Sequence, residues 1–202
     1  MPEGMDRGEE ILVNSTSLAG TRSLPKASVQ VAACACAVVG AVAVPQLFHA
    51  AGALLGVGTG LGETFLPMHL PVLLVGFLAG PWAGLVAGIL GPLASYALSG
   101  MPVAAMLPFM MVELAGYGLV AGLARSWDTS LIVKLLAAQV AGRLLRAAAL
   151  LVAGLMTTGV PPVASVFAAT VAGLPGLCLQ WLLIPAILLA VNARAARGVA
   201  RD

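Results

Sequence analysis

Charged side chains are scarce in this chain of 202 residues. Asp, Glu, Lys and Arg make up 9% of it, whereas they make up about 25% of a soluble globular domain. Hydrophobic residues reach 60%, which is more than a soluble core of this size can bury. The composition therefore excludes a soluble catalytic or ATPase domain, and the net charge of +2 gives no indication of nucleic-acid binding.

Cysteine and histidine are also rare, with three and two copies. Cys34, Cys36 and Cys178 lie in apolar runs, where they are typical of packing residues, and no disulfide or metal spacing is present. The chain has no His-Glu-x-x-His motif, no Gly-x-Ser-x-Gly motif and no phosphate-binding glycine loop. We therefore expect no catalytic residue, metal or cofactor, and for His49 we expect interfacial packing.

Long apolar runs, by contrast, fill most of the chain. A membrane-spanning helix needs roughly 20 apolar residues, and residues 29–193 hold six such runs separated by turns. The predicted spans are Val29–Phe48, His69–Ala79, Trp82–Leu98, Val103–Ala124, Leu131–Met156 and Ala164–Val191. Ala51–Met68 is expected to be a long first loop, and the short second span to be tilted or partial. The sequence thus predicts an all-α integral membrane protein with six transmembrane helices.

The Lys and Arg residues in or near the loops and termini all lie on one side of this predicted bundle, as loops that stay in the cytoplasm require. They are Arg7, Arg22, Lys26, Arg125, Lys134, Arg194, Arg197 and Arg201. Both termini are therefore expected in the cytoplasm, with residues 1–28 as a polar, disordered tail and residues 194–202 as a basic tail. The turns at Ser99–Pro102 and Thr157–Pro162 then face outside.

Four polar side chains are predicted inside the membrane. Glu113 lies about ten residues into span 4, ~15 Å from the outer surface at 1.5 Å per residue. On span 5, Gln139, Arg143 and Arg146 share one helical face, with Arg146 at the depth of Glu113. Charged groups at this depth face the bundle interior and find partners. Two hypotheses stay open: a purely structural ion pair, or a ligand site in which the surplus arginine holds an anionic group such as a carboxylate.

Other candidate ligand contacts lie near this cluster. Along span 4, side chains recur every three or four residues and form a face that suits the apolar wall of a site, although such a stripe is more often core. They are Met106, Phe109 or Met110, Glu113 and Tyr117. Weaker candidates are Ser95 and Ser99 on span 3, Gln180 and Trp181 on span 6, and Glu63 and His69 near the first loop.

Small residues recur at every fourth position on span 1, at Ala33, Ala37 and Ala41. This spacing puts them on one face, where another helix can approach closely. Packing within the chain and docking of a partner membrane subunit both remain open. The pairs Gly84/Gly88 and Gly118/Gly122 repeat the spacing, and for these internal packing is favoured.

Several segments resemble the substrate-specific components of energy-coupling-factor (ECF) transporters, an ABC-type family. They are Met68–Pro81, Gly84, Gly88, Gly91-Pro92-Leu93, Ser95, Ser99-Gly100-Met101-Pro102 and Met111–Gly118. The similarity is close over about Ala32 to Gly122 and general elsewhere, and the long N-terminal tail departs from the family. It implies a vitamin-binding protein of the prokaryotic plasma membrane that docks on a transmembrane coupling subunit driven by two cytoplasmic ATPase subunits.

The same resemblance implies roles for particular regions. Loops Ala51–Met68, Ser99–Pro102 and Thr157–Pro162 would close over the ligand, and the Ala33–Ala41 face would meet the coupling subunit. Pantothenate, folate, cobalamin and other precursors stay open as substrates, with pantothenate favoured because one free arginine suits one carboxylate. An independent small secondary transporter or channel is the alternative hypothesis, and an intramembrane enzyme is the third.

Overall fold

The computed structural model of the chain describes residues 23–58, 60–158 and 163–199. Their regular structure is helical, in the order α1 (Ala27–Leu54), α2 (Gly60–Phe65), α3 (His69–Ala79), α4 (Pro81–Ser99), α5 (Leu107–Ala124), α6 (Leu131–Thr158), α7 (Val163–Ala172) and α8 (Leu174–Val199). Six stretches of these residues are long and apolar enough to cross a membrane: Ala27–Leu54, Gly60–Ala79, Pro81–Ser99, Leu107–Ala124, Leu131–Thr157 and Leu174–Arg194. The prediction of an all-α protein with six membrane-spanning helices is confirmed.

The centre of the bundle is the contact between α4 and α5. A Cβ added to Gly84 would collide with the backbone carbonyl of Gly118, and a Cβ on Gly118 would collide with that of Gly84. One turn further along α4, Gly88 faces the backbone of Leu114 in the same way. The glycine spacing seen in the sequence therefore lets two backbones touch, as small residues do between membrane helices.

The small-residue face of α1 packs against α3 and α4. Ala37 lies in a cluster with Val75 and Ala79 of α3 and Ala83 and Ala87 of α4, while Ala33 is partly buried at its edge. Ala41 is fully buried, and a Cβ on Gly91 of α4 would lie 2.9 Å from its methyl group. These contacts favour packing within the chain, the first of the two interpretations of this face. Docking of a partner through it stays a prediction.

The first connection is shorter than predicted. Ala51–Met68 was expected to be a loop, but α1 continues to Leu54 and Gly60–Phe65 forms α2. Its glycines suggested a loop because glycine weakens an isolated helix. Here they are offset by packing, since Gly176 of α8 lies directly against the backbone of Phe65.

Prolines explain why two other helix boundaries differ from the predicted ones. The predicted last span, Ala164–Val191, is interrupted at Gly173 and divides into α7 and α8. Pro175 explains the interruption, because its ring clashes with the carbonyl four residues earlier and cannot continue α7, yet fits the first turn of α8. Likewise α5 begins at Leu107 rather than Val103, with Pro108 in its first turn.

The termini are only partly covered by the described residues. The predicted tail up to residue 22, and residues 159–162 of the last predicted outer turn, lie outside them. Helix α1 begins at Ala27, two residues before the predicted start of the membrane domain. At the other end α8 continues to Val199, so the basic segment that begins at Arg194 is helical for most of its length.

The orientation in the membrane stays a prediction, and two exposed connections test it. Val103, between α4 and α5, and Trp127, between α5 and α6, are 55% and 41% exposed. In a background free of native cysteine, Val103→Cys should react with a membrane-impermeant maleimide added to whole cells. Trp127→Cys should react only after lysis, because the nearby Arg125 and Lys134 predict a cytoplasmic location for its side. The reverse pattern would show that the termini lie outside.

Candidate functional site

A cavity of about 460 Å³ lies at the end of the bundle where α4 passes into α5. Its polar lining consists of His49, Glu63, His69, Ser95, Arg143 and Arg146. Four methionines and three prolines form most of the apolar wall: Met68, Met101, Met106, Met110, Pro45, Pro67 and Pro102. The volume is in the range of pockets for small organic ligands.

A cluster of ionisable side chains borders this cavity. Glu113 of α5 is fully buried, and its Oε2 accepts a hydrogen bond of 2.7 Å from Nη1 of Arg146. Its Oε1 lies 3.2 Å from Nη1 of Arg143 and 3.5 Å from Nε2 of His69. One carboxylate is therefore shared by two arginines and an imidazole, and both arginines line the cavity, whereas Glu113 does not.

Two glycines bring α5 and α6 close enough for this arrangement. A Cβ on Gly116 would lie 3.2 Å from the Cα of Gly142. A Cβ on Gly142 would collide with the ring of Tyr117 and lie 2.9 Å from the backbone oxygen of Glu113. The helices thus meet backbone to backbone beside the cluster, which keeps the Arg143 and Arg146 side chains within reach of the carboxylate.

Several buried polar atoms at the cavity have no hydrogen-bond partner among the described residues. They are Oγ of Ser95, Nδ1 of His69, Nε and Nη2 of Arg143, and Nε of Arg146. Ser95 and His69 are each only 1% exposed, and buried polar side-chain atoms nearly always have partners in folded proteins. The cavity wall is therefore rich in donors that a bound molecule can satisfy after small adjustments.

Most of the predicted site residues come together here. Those that line the cavity are Glu63, His69, Ser95, Met110, Arg143 and Arg146. Glu113 lies behind the two arginines, and Tyr117 lies beneath His69, with the two rings edge to face at 4.9 Å between centroids.

Gln139 does not line the cavity. Its Nε2 donates to Oε1 of Gln180 at 3.0 Å, and its Oε1 accepts from Nε1 of Trp181 at 2.7 Å. The amide thus joins α6 to α8. Ser99, a weaker candidate, is likewise occupied, because its hydroxyl donates to the backbone oxygen of Ser95 and accepts from Gln46.

His49 lines the cavity, although the sequence indicated interfacial packing for it. The signal that could have found it is the spacing of Ala41, Pro45 and His49, which continues the buried face of α1 by whole turns toward the cavity. Met101 and Pro102 also line the cavity, and they belong to the Ser99–Pro102 loop that the family resemblance places over the ligand. Val103, which lines the cavity next to them, was predicted as the first residue of span 4 and not as a lining residue.

In the part of the chain that the structure describes, no group of three or more His, Cys, Asp or Glu side chains is placed to hold a metal ion.

The fold defines a polytopic membrane protein with a charged, partly apolar cavity inside its helical bundle. Comparison with protein-family models matches residues 31–188 to the ECF transporter, substrate-specific component. Since the match covers most of the chain, the chain belongs to this family. It is accordingly a multi-pass protein of the cell membrane and a transporter subunit. No curated protein and no solved structure matches it.

Proposed function

We propose that the chain captures a small water-soluble vitamin or cofactor precursor that carries one anionic group. It acts as the substrate-specific subunit of an ECF-type transporter and delivers its cargo by docking on a coupling subunit driven by two ATPase subunits. Family membership supports the subunit role. The observation that carries the ligand chemistry is the cluster in which two arginines share a single buried carboxylate at the wall of a cavity.

The charge balance of this cluster argues for an anionic ligand. Arg143 and Arg146 are permanently cationic, and Glu113 can neutralise only one of them. Burying a charge without a counter-charge inside a membrane bundle costs on the order of several kcal/mol of folding free energy. Such charged groups therefore mark binding sites more often than inert core. A carboxylate of the ligand would supply the missing negative charge and accept hydrogen bonds from guanidinium nitrogens that lack partners.

Pantothenate is the substrate that we favour, because its single carboxylate matches the one positive charge by which Arg143 and Arg146 exceed Glu113, the carboxylate that they contact. Folate carries two carboxylates and would leave one without a counter-charge. The methionine-rich wall is flexible and adapts to many apolar shapes, so it supports a small organic ligand without selecting one. The choice of pantothenate therefore depends on the charge argument.

The function is tested by the small molecules that the purified protein retains. Extraction of the protein isolated in mild detergent, followed by mass spectrometry, should yield one anionic compound of low molecular weight, and pantothenate added to the emptied protein should bind. Retention of a neutral or cationic compound would contradict the proposed chemistry. Uptake into vesicles that contain this chain alone, without ATPase subunits, would instead identify an independent secondary transporter.

The proposed docking surface on α1 is the face formed by Ala33, Ala37 and Ala41. Ala37 is only 7% exposed and lies among side chains of α3 and α4, so a substitution there tests packing and docking together. Ala37→Trp should lower the unfolding temperature and reduce ligand binding and uptake together, since overpacking a tight core typically costs about 1–3 kcal/mol. Val39→Trp is the control, because Val39 is 66% exposed. A folded, ligand-binding Ala37→Trp protein that fails only in uptake by the complete transporter would establish the Ala33, Ala37 and Ala41 face as the docking surface.

A further inference from the structure

Arg143 reaches Glu113 through a gap at the junction of α7 and α8. Gly173 is the residue at this junction, and a Cβ added to it would lie 2.5 Å from Nη2 and 3.5 Å from Cζ of Arg143. On its other side the same guanidinium lies 3.2 Å from Glu113, measured from Nη1 to Oε1. The guanidinium therefore has a glycine beside Nη2 and a carboxylate beside Nη1, so a side chain at residue 173 would change where it lies.

Backbone geometry does not explain why glycine stands at this position. The described glycines with positive φ are Gly56, Gly58, Gly80 and Gly100, and Gly173 is not among them. An alanine could therefore adopt its backbone conformation. A side chain at residue 173 would instead fill the space beside the backbone.

The neighbouring glycine of α8 shows a different kind of contact. A Cβ on Gly176 would lie 2.6 Å from the backbone carbon of Phe65 and 2.7 Å from its oxygen, so a side chain there would force two backbones apart. At Gly173 the nearest atoms are instead the ends of two flexible side chains, Nη2 of Arg143 at 2.5 Å and Cδ1 of Leu66 at 3.0 Å. A methyl group at residue 173 is expected to displace the Arg143 guanidinium and leave the helices in place.

We propose that Gly173 is a positioning residue for Arg143: its missing side chain leaves the space in which the guanidinium lies against Glu113 at the cavity wall. The inference rests on the proposed function only in that the positioned cation would face the bound anion. Substitution of Gly173 should move the cation of the site without removing it, unlike replacement of Arg143 by a neutral residue.

Chemical modification of the arginines tests this without any bound vitamin. The purified full chain is treated with phenylglyoxal, and the modification rates of Arg143 and Arg146 are compared by peptide mass spectrometry. In Gly173→Ala, the modification rate of Arg143 relative to Arg146 should change severalfold, because the new methyl group takes the space of Nη2 and forces the guanidinium into a different position relative to Glu113 and the cavity. Gly60→Ala is the control, since a Cβ on Gly60 meets nothing within 4 Å, and it should leave the ratio unchanged.

An unchanged ratio in folded Gly173→Ala would overturn the proposal. If Gly173→Ala does not fold, the double variant Gly173→Ala with Arg143→Lys shows whether the clash with the arginine is the cause. Lysine has no forked guanidinium to meet the new methyl group. Recovery of folding in the double variant supports the steric account, and failure to recover shows that Gly173 is needed for the helix junction itself. Pantothenate binding is measured separately, so a lack of binding in the unmodified chain would count against the proposed substrate and not against this role of Gly173.

Discussion

Arg143→Met should weaken binding of pantothenate by about 10- to 150-fold, which corresponds to the loss of a charge-assisted contact worth roughly 1.5–3 kcal/mol. The effect should exceed that of Arg146→Met. Arg146 makes the shorter contact with Glu113, 2.7 Å against 3.2 Å, whereas Arg143 has two nitrogens without partners. Isothermal titration of the purified variants measures both affinities.

The matched variants for this experiment are Glu113→Gln and Gln139→Leu. Glu113 does not line the cavity, so Glu113→Gln should lower thermal stability, by leaving two buried cations unpaired, more than it removes any ligand contact. Gln139→Leu should loosen the α6–α8 contact without changing affinity. Unchanged affinity in both arginine variants, together with lower stability in all three cluster variants, would show that the cluster only fastens helices.

Gly118→Ala should destabilise the bundle strongly, because its new methyl group would collide with the backbone of Gly84. Neither backbone can move away without separating α4 from α5, and overpacking of this kind costs typically about 1–3 kcal/mol and sometimes more. The unfolding temperature in detergent should fall, and ligand binding should fall with it, since Ser95 of α4 and Met110 of α5 both line the cavity.

The control for Gly118→Ala is Gly60→Ala. It makes the same chemical change at the first residue of α2, where the new methyl group meets no neighbouring atom within 4 Å. Gly60 is not among the described glycines with positive φ, so alanine adds no backbone strain and this variant should be about as stable as the unmodified chain. Equal stability of the two variants would contradict the close packing of α4 on α5.

The long spans were predictable because their signal is local. About 20 consecutive apolar residues identify a membrane helix whatever surrounds it, and Leu131–Met156 and Trp82–Leu98 were placed to within two residues of α6 and α4. The first connection was not predictable in the same way. Its glycines oppose helix formation locally, and α2 forms against α8, which is more than a hundred residues away in the sequence.

The part of the candidate site that could be predicted is the pairing of charged residues at the same depth in the membrane. Counting residues from the predicted ends of two spans placed Glu113 level with Arg146, and their atoms are in contact. Gln139 shows the limit of this reasoning. It shares a helical face with Arg146 but lies seven residues away, about 10 Å along the axis, which is enough to place it against α8 instead of the cavity. Gly173 and Gly142 were not predicted from the sequence. Each of these glycines makes room for a side chain from another helix, and neither its neighbours in the sequence nor its spacing indicates that contact.

The hydrogen bond between Gln139 and Gln180 has a consequence for how the bundle is assembled after its helices enter the bilayer. A separate α6 or α8 would expose an amide to hydrocarbon, where no water is present to bond it. When the two helices meet, each amide gains a partner, and interhelical bonds of this type contribute about 0.6 kcal/mol on average and up to roughly 2. Because leucine and valine give lipid-facing helices little preference among neighbours, this pair of amides favours α6 as the partner of α8 during assembly.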